Sequence, residues 1–426
     1  MARGGGKPSP HHISPDIALG AADIQRSLRF NRGDSPYLQT TLGNSNVDKW
    51  TWSGWVKKTI NGEHQNLFSS GSDSVVTMIN FDNSDYLKFQ NWHSGQRGTK
   101  ITSRKFRDLT GWLHIVAIWD SGNSTADDRI RLYVNGTRET SFSSSSNPDQ
   151  NQDSVINGNT LGGSDYGEGK HFIGRYADLT DPSGTYKTEI HFIDGYAYDP
   201  SYFGFTDPQT GIWMPKRYEG THGTNGYYLD FSDNSSTAAL GIDKSTNGND
   251  FTVSNLATGD STLDSPSNNF STLRYYTGPA SSGSSLTEGN LKFITGSSGS
   301  ARNLNRMGIS RFLPTSGKWY AEVRVLDSNG QNFIGVGSYQ VEILQTANNT
   351  RYAFVYGSDG DKYVRTAGSE SIATYAASYT QNDVIGVYVD MDASTPLVSF
   401  SKNGQWANGS GSWNQSTPTS YITLGD

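Results

Sequence analysis

The sequence predicts an all-β chain: two antiparallel β-sandwich domains in tandem, preceded by an extended N-terminal arm. Three observations carry this expectation. The composition is 33% hydrophobic and 18% charged, below the roughly 45–50% and 25% of globular chains. Gly (48 residues) and a 12% aromatic share fill the room instead, a balance suited to short strands joined by Gly/Ser/Asn turns around thin aromatic cores. Apolar residues alternate at period two in short runs, and no convincing helix separates one run from the next, so a βαβ sheet is excluded. Finally, two distant blocks carry the same late device, an alternating strand running into Asn-Gly, the strongest short hairpin signal: Asn135-Gly136 and Asn403-Gly404.

At 426 residues the chain is too long for one ordinary core. Residues 1–26 form an arm without a core of its own: Gly4 to Gly6, Pro8, Pro10 and Pro15 preclude regular structure, and Ser14-Pro15-Asp16 caps a short helix through Asp23. The first sandwich, residues 27–205, has strands at Ser27 to Phe30, Trp50 to Lys57, Trp112 to Trp119, Arg129 to Val134, His171 to Arg175 and Thr188 to Tyr198. In the last of these, Ile190, Phe192 and Asp194 alternate against Glu189, His191 and Ile193.

Residues 206–289 read as an irregular connector with strands at Gly226 to Phe231 and Phe251 to Leu256. It packs on the sandwiches, because Trp213, Tyr218, Tyr227, Tyr228 and Phe231 are costly to leave in water. The second sandwich, residues 290–426, begins with Lys318 to Leu326, which places Trp319, Ala321, Val323 and Val325 on one face. Phe333 to Gly337, Arg351 to Tyr356, Val384 to Asp390 and Leu397 to Lys402 follow.

The composition also excludes function classes. A net charge of -7 gives no basic footprint for nucleic acid. There is no cysteine for disulfides or thiolate metal sites. No run of about 18 apolar residues spans a membrane, and the N-terminal residues lack the apolar run of a signal peptide. These features fit assembly in a reducing cytoplasm.

The first block resembles a laminin-G-like, concanavalin A-like jelly roll. The resemblance lies in Trp50-Thr-Trp-Ser-Gly-Trp-Val56, Gly111-Trp-Leu-His-Ile-Val-Ala-Ile-Trp-Asp120, Arg131-Leu-Tyr-Val-Asn-Gly136, Phe172-Ile-Gly-Arg175 and Glu189 to Tyr198. The second is similar to a SPRY domain through Gly317-Lys-Trp-Tyr-Ala-Glu-Val323, Ile334-Gly-Val-Gly337, Asp383 to Asp390 and Val398-Ser-Phe-Ser-Lys-Asn-Gly404. SPRY domains usually close with a further Phe/Gly-rich strand after the segment matching Tyr421 to Asp426, which implies either a fragment or a strand donated by a partner.

The connector's Asp194-Gly-Tyr-Ala-Tyr-Asp-Pro200, Asn225 to Ser235, Gly248-Asn-Asp-Phe-Thr-Val253 and Asp264-Ser-Pro-Ser-Asn-Asn-Phe270 resemble a segment of marine bacteriophage virion and tail-fibre proteins. That resemblance implies a structural virion protein, a tail-fibre or surface-fibre component for host attachment. It implies attachment to other virion proteins through the arm, a homo-oligomer (a trimer in a fibre), and a host surface glycan or receptor as ligand. A capsid decoration protein and a free lectin-like module are the alternatives.

Catalytic residues are not expected. The Glu-x-Asp-x-Glu pattern of retaining glycosidases on such folds is absent, and the nearest stretch, Glu189 to Asp194, reads as an edge or rim strand. There is no H-E-x-x-H, G-x-S-x-G or Walker pattern. Arg32-Gly33-Asp34 reads as a Gly turn. Sugar binding needs an aromatic plate and Asn/Asp partners, which points to Trp92 and His93, to Trp406 and Trp413, and to Asn403 in Gly/Asn-rich loops. Asp120, Asp127 and Asp128 carry oxygens enough for Ca²⁺, the one cofactor considered.

Overall fold

The computed structural model describes residues 21–72, 75–93, 95–157, 169–275, 285–294, 307–308, 315–327, 332–337, 353–366, 369–408 and 410–424. Of the arm, residues 1–20 lie outside the described residues, as does most of the expected helix; residues 21–26 are not helical, and Ala21 makes an isolated antiparallel bridge to Lys216. Ala22 N–H donates to Pro215 O (3.0 Å) and Ile24 N–H to Ser267 Oγ (2.9 Å), so this end of the arm is tied down. Among the described residues there is no α-helix. The chain divides into two compact units, residues 1–272 with 286–292, and residues 273–285 with 293–426.

The first unit is a sandwich of two eight-stranded sheets. Its strands are β1 (Ser27–Phe30), β2 (Tyr37–Thr41), β3 (Lys49–Lys58), β4 (Gln65–Ser72), β5 (Val75–Phe81), β6 (Tyr86–His93), β7 (Gln96–Lys105), β8 (Leu113–Asp120), β9 (Ile130–Val134), β10 (Thr137–Arg138), β11 (Phe142–Ser146), β12 (Lys170–Ile173) and β13 (Thr185–Asp194). Five more lie beyond residue 203: β14 (Gly204–Thr206), β15 (Trp213–Pro215), β16 (Tyr227–Leu229), β17 (Thr252–Ser254) and β18 (Ser261–Thr262). One sheet runs β10-β9-β8-β3-β13-β1-β18 with β16 also on β13; the other runs β11-β7-β6-β5-β4-β12-β2-β17.

Period-two alternation sends Trp50, Trp52, Ile115, Ala117, Trp119, Ile190 and Phe192 inward to meet Phe68, Ile79, Leu87 and Phe89 of the facing sheet. The segment 206–272 is part of this fold. It supplies β16 and β18 to one sheet and β17 to the other. β13 is an interior strand, paired with β3, β1 and β16, and not the edge strand its sequence suggested.

Four short strands follow, β19 (Arg274–Tyr275), β20 (Ser285–Thr287), β21 (Lys292–Ile294) and β22 (Met307–Gly308), of which β19 pairs with β22. The second unit's sandwich pairs β23 (Lys318–Arg324), β28 (Val384–Asp390), β29 (Leu397–Lys402), β30 (Gln405–Ala407), β31 (Trp413–Gln415) and β32 (Ile422–Thr423) in one sheet. β24 (Phe333–Gly337), β25 (Ala353–Gly357), β26 (Asp361–Thr366) and β27 (Ser369–Thr374) form the other. Its core is Val325, Phe354, Tyr356, Tyr375, Tyr379, Ile385, Val387, Val398 and Phe400. Trp319, which shares a face with Ala321 and Val323, is 48% exposed, and its Nε1–H donates to Ser316 O (3.0 Å).

The two Asn-Gly turns use one device. Asn135 (φ 48°) and Asn403 (φ 52°) take left-handed backbone, followed by Gly136 (φ 75°) and Gly404 (φ 79°). Asn135 Oδ1 accepts from His114 N–H (2.8 Å), and Asn403 Oδ1 accepts from Val384 N–H (2.8 Å).

Candidate functional site

Asn403 is therefore engaged at the start of β28, its Nδ2 donating to Asp383 Oδ1 (2.7 Å). Trp413 is half-buried and engaged as well. It lies in β31, not a loop, donates to Ala377 O (3.0 Å) and meets Tyr356 edge-on at 5.5 Å. Trp92 and His93 close strand β6, where Trp92 faces outward and is 39% exposed. The neighbouring Asn91 is buried and holds Thr77 Oγ1–H (2.7 Å) and Val155 N–H (3.1 Å). Arg32-Gly33-Asp34, read as a turn, is a 3₁₀ turn whose Arg32 donates to His64 O (3.0 Å) and pairs with Glu63 (3.1 Å).

The three acids weighed for calcium each face a cation. Asp120 pairs with Lys49 and Arg131 (3.4 Å each), Asp127 with Lys100 (3.7 Å) and Asp128 with Arg138 (2.6 Å). Among the described residues no group of three or more His, Asp or Glu side chains is placed to hold a metal ion.

Polar chemistry gathers instead on the outer face of the β8-β3-β13 sheet. There the hairpin β14–β15 and residues 216–228 cover Ser53, His114, Glu189 and His191, all buried. A bulge between Thr188 and His191 puts Glu189 in left-handed backbone (φ 50°), a strained geometry for a residue with a side chain. Both Glu189 oxygens accept from Tyr228 Oη (2.8 Å), and burial pushes its carboxyl up to about 8. His191 stacks on Tyr228 at 4.3 Å, and its Nδ1 lies 3.2 Å from His222 Nε2. Burial first, then the neighbouring His222 and His114, hold the His191 imidazole well below its ordinary value.

Ser53 and His114 look at first like a nucleophile and its base, with Ser53 Oγ 2.8 Å from His114 Nε2. The ring's other nitrogen decides otherwise. Trp213 Nε1–H, which can only donate, points at His114 Nδ1 (3.0 Å). Burial holds the imidazole at about 3, so it is neutral, with its proton on Nε2. It donates to Ser53 and cannot take that hydroxyl's proton. A functioning Ser-His pair needs the reverse tautomer, oriented by a carboxylate.

Trp406 is the candidate that the second unit leaves open. Half-buried in β30, it packs with Tyr320 of β23 (6.1 Å) and Tyr388 of β28 (6.0 Å). Tyr320 opposes Tyr388 across the ladder, so these rings share one sheet face, and Tyr320 is 51% exposed. Tyr320 Oη donates to Glu322 Oε1 (2.8 Å) and Tyr388 Oη to Asp390 Oδ2 (3.0 Å). Gly386 makes room: a Cβ there would lie 2.4 Å from Tyr320 Oη. Sequence reasoning picked out Trp406 but missed both tyrosines, which sit in stretches read only as strands. The signal was their position two residues before Glu322 and Asp390.

The profile of the concanavalin A-like lectin/glucanases superfamily matches residues 32–180, and that of the SPRY domain matches residues 318–416. No curated protein matches the chain. Among solved structures, a Bacteroides ovatus protein proposed to bind carbohydrate is similar at 14% identity and TM-score 0.35; the alignment covers 55% of this chain and 61% of that one. The mouse laminin alpha1 chain, domains LG4-5, is similar at 10% identity and TM-score 0.30, over 96% of this chain and 82% of that one. The Ruminococcus gnavus IT-sialidase CBM40 bound to alpha2,3 sialyllactose is similar at 12% identity and TM-score 0.25, over 39% of this chain and 83% of that one.

Proposed function

From a concanavalin A-like domain followed by a SPRY domain, we propose that the protein is a non-catalytic carbohydrate-binding module working in host attachment by a phage particle. The observation that carries the carbohydrate reading is the open group of Trp406, Tyr320 and Tyr388 with Glu322 beside it. Aromatic faces receive the C–H faces of a sugar, and carboxylates accept from its hydroxyls. The neutral, Nε2-protonated His114 supports a role without catalysis, since the most reaction-like pair in the first domain is wired to hold structure.

The virion role, with an arm attached to other particle proteins and a homo-oligomeric assembly, rests on the sequence resemblance of residues 194–270. Calcium stays outside the proposal, because it would have to displace the cations paired with Asp120, Asp127 and Asp128. A glycan array probed with the wild-type protein and Trp406→Ala tests the binding reading. Wild-type signal that drops about tenfold in the variant is expected; equal signals would remove Trp406 from the site. Mass spectrometry of purified phage particles tests the virion role, and absence of the chain from them would end it.

A further inference from the structure

The first unit carries a second aromatic feature, whose outer rings lie at its surface. Tyr196, Tyr198 and Tyr202 form a continuous stack, with ring centroids 5.4 Å and 4.2 Å apart and interplanar angles of 12° and 20°. Tyr198, the middle ring, packs over Val116, Ile118, Ile193 and Phe203 and so has a structural role. The flanking rings do not: Tyr196 is 41% exposed and Tyr202 43% exposed.

The backbone under the stack is fixed. Thr51 Oγ1 donates to Tyr196 O (2.9 Å) and accepts from Tyr198 N–H (2.9 Å), pinning both sides of Ala197 to strand β3. Asp199 then caps the 3₁₀ turn Pro200–Tyr202, its Oδ1 accepting from Ser201 N–H (2.8 Å) and Ser201 Oγ (2.6 Å). That turn folds Tyr202 back onto Tyr198. Lys216 Nζ holds the turn from the other side through Ser201 O (3.1 Å). Among the described residues, none of the three phenol hydroxyls bonds to a protein group.

We infer that this tyrosine stack is a saccharide-binding site of the first domain, taking a neutral pyranose chain. The outer faces of Tyr196 and Tyr202 receive the C–H faces of sugar rings. The unused phenol hydroxyls, and the Asp199 oxygen not engaged in the cap, bond to sugar hydroxyls. A neutral sugar is favoured over an acidic one because Asp199 and Lys216 beside the turn offset each other, leaving no net positive charge to draw an acidic sugar, and the chain carries a net charge of -7. The preset loop keeps the ordering cost of binding low. A partner protein is the less suitable occupant: stable interfaces bury about 800 Å² per side, and two rings each less than half exposed supply only a fraction of that. The inference rests on the carbohydrate-binding reading but places a site in the other domain, away from Trp406.

The test uses the full chain with laminarihexaose, cellohexaose and maltohexaose as neutral probes and an alginate hexamer as the acidic one. Saturation-transfer NMR and titration calorimetry are the readouts, on wild type, Tyr196→Ala/Tyr202→Ala, Tyr202→Phe and Trp406→Ala. The expected result is that Kd for a neutral hexamer rises about tenfold in the double variant, as loss of two ring contacts would give, at an unchanged melting temperature. Tyr202→Phe, which keeps the ring, is expected to lose less. If the double variant binds like wild type while Trp406→Ala does not, the stack is no site and the carbohydrate reading stands. If wild type binds no probe, both fall. If the double variant changes only the oligomeric state in light scattering, the stack is a protein contact and the inference is overturned.

Discussion

At the scale of single residues, this protein buries charge and titratable groups in unusual number. Lys58 has no exposed side-chain surface, and its Nζ donates to Asp85 Oδ1 (2.8 Å) and Phe106 O (2.7 Å). Burial alone would raise the Asp85 carboxyl, but Lys58, the Gly62 N–H and Arg107 outweigh it and hold the group below its ordinary value. Lys58→Ala strands that carboxylate and is expected to cost about 3–5 kcal/mol in chemical denaturation. Glu189 runs the other way. Its folded value of about 8 lies above the ordinary 4.5, so its contribution is fully present below about pH 4.5 and is lost as pH rises through 8. Glu189→Gln removes that dependence, so thermal melts should show the variant gaining on wild type between pH 5 and pH 9. Parallel melting curves across that range would refute the buried assignment. His171, held at about 3 by burial, acts at the acid end, where stability falls as pH drops below 6.5.

Among elements, the hairpins were the most legible. Asn135-Gly136 and Asn403-Gly404 are what the pattern said, because left-handed backbone at both positions favours that pair. Strands β4 to β7 were not legible. Gln65, Asn66, Ser69, Ser70, Thr77 and Asn91 are buried there among the apolar residues, and a polar side chain gives no sign of burial in the sequence. Their side chains are satisfied across long sequence separations, as Asn66 Nδ2 is by Asp181 O (2.7 Å), and a local pattern cannot register that.

The β14–β15 hairpin was read as irregular connector, but Trp213 makes it a cover. Its ring stacks on His114 (5.9 Å) and fills space kept open by Gly136 and Gly204, where a Cβ would sit 2.4 Å from the indole. Trp213→Ala is expected to cost about 3 kcal/mol. It also removes the donor that fixes the His114 tautomer. NMR of the His114 ring nitrogens would then show mixed tautomers in the variant and the Nε2–H form alone in wild type.

For the whole chain, the decisive fact is that residues 206–272 belong to the first sandwich. Lys57 Nζ binds Asp264 (2.8 Å), Asn269 Oδ1 (2.8 Å) and Phe270 O (2.6 Å), while Trp112 Nε1–H donates to the same carboxylate (2.9 Å). The Asp264 to Phe270 stretch that resembled phage proteins is thus a structural clamp. So is the Asn225 to Phe251 region, where Asp243 Oδ1 receives Tyr228 N–H (2.8 Å) and Asn249 Nδ2–H reaches Gly226 O (2.9 Å). A chain ending at residue 205 is therefore expected to fail to fold, whereas one ending at residue 294 should melt cooperatively in calorimetry. Cooperative melting of the shorter chain would show that β16, β17 and β18 are dispensable.

The sequence by itself determined the all-β class, the two sandwiches, their order and their late hairpins, since alternation and turn chemistry are local properties. Only the tertiary structure decided which polar groups face which. It engaged Asn403 with Asp383 and Val384 and Trp413 with Ala377, set a cation beside each of Asp120, Asp127 and Asp128, and gave Trp406 two tyrosine neighbours. It also stacked Tyr196, Tyr198 and Tyr202 through one capped turn. A side chain's availability depends on partners brought up by distant strands, and strand pairing between distant segments is not written in either segment alone.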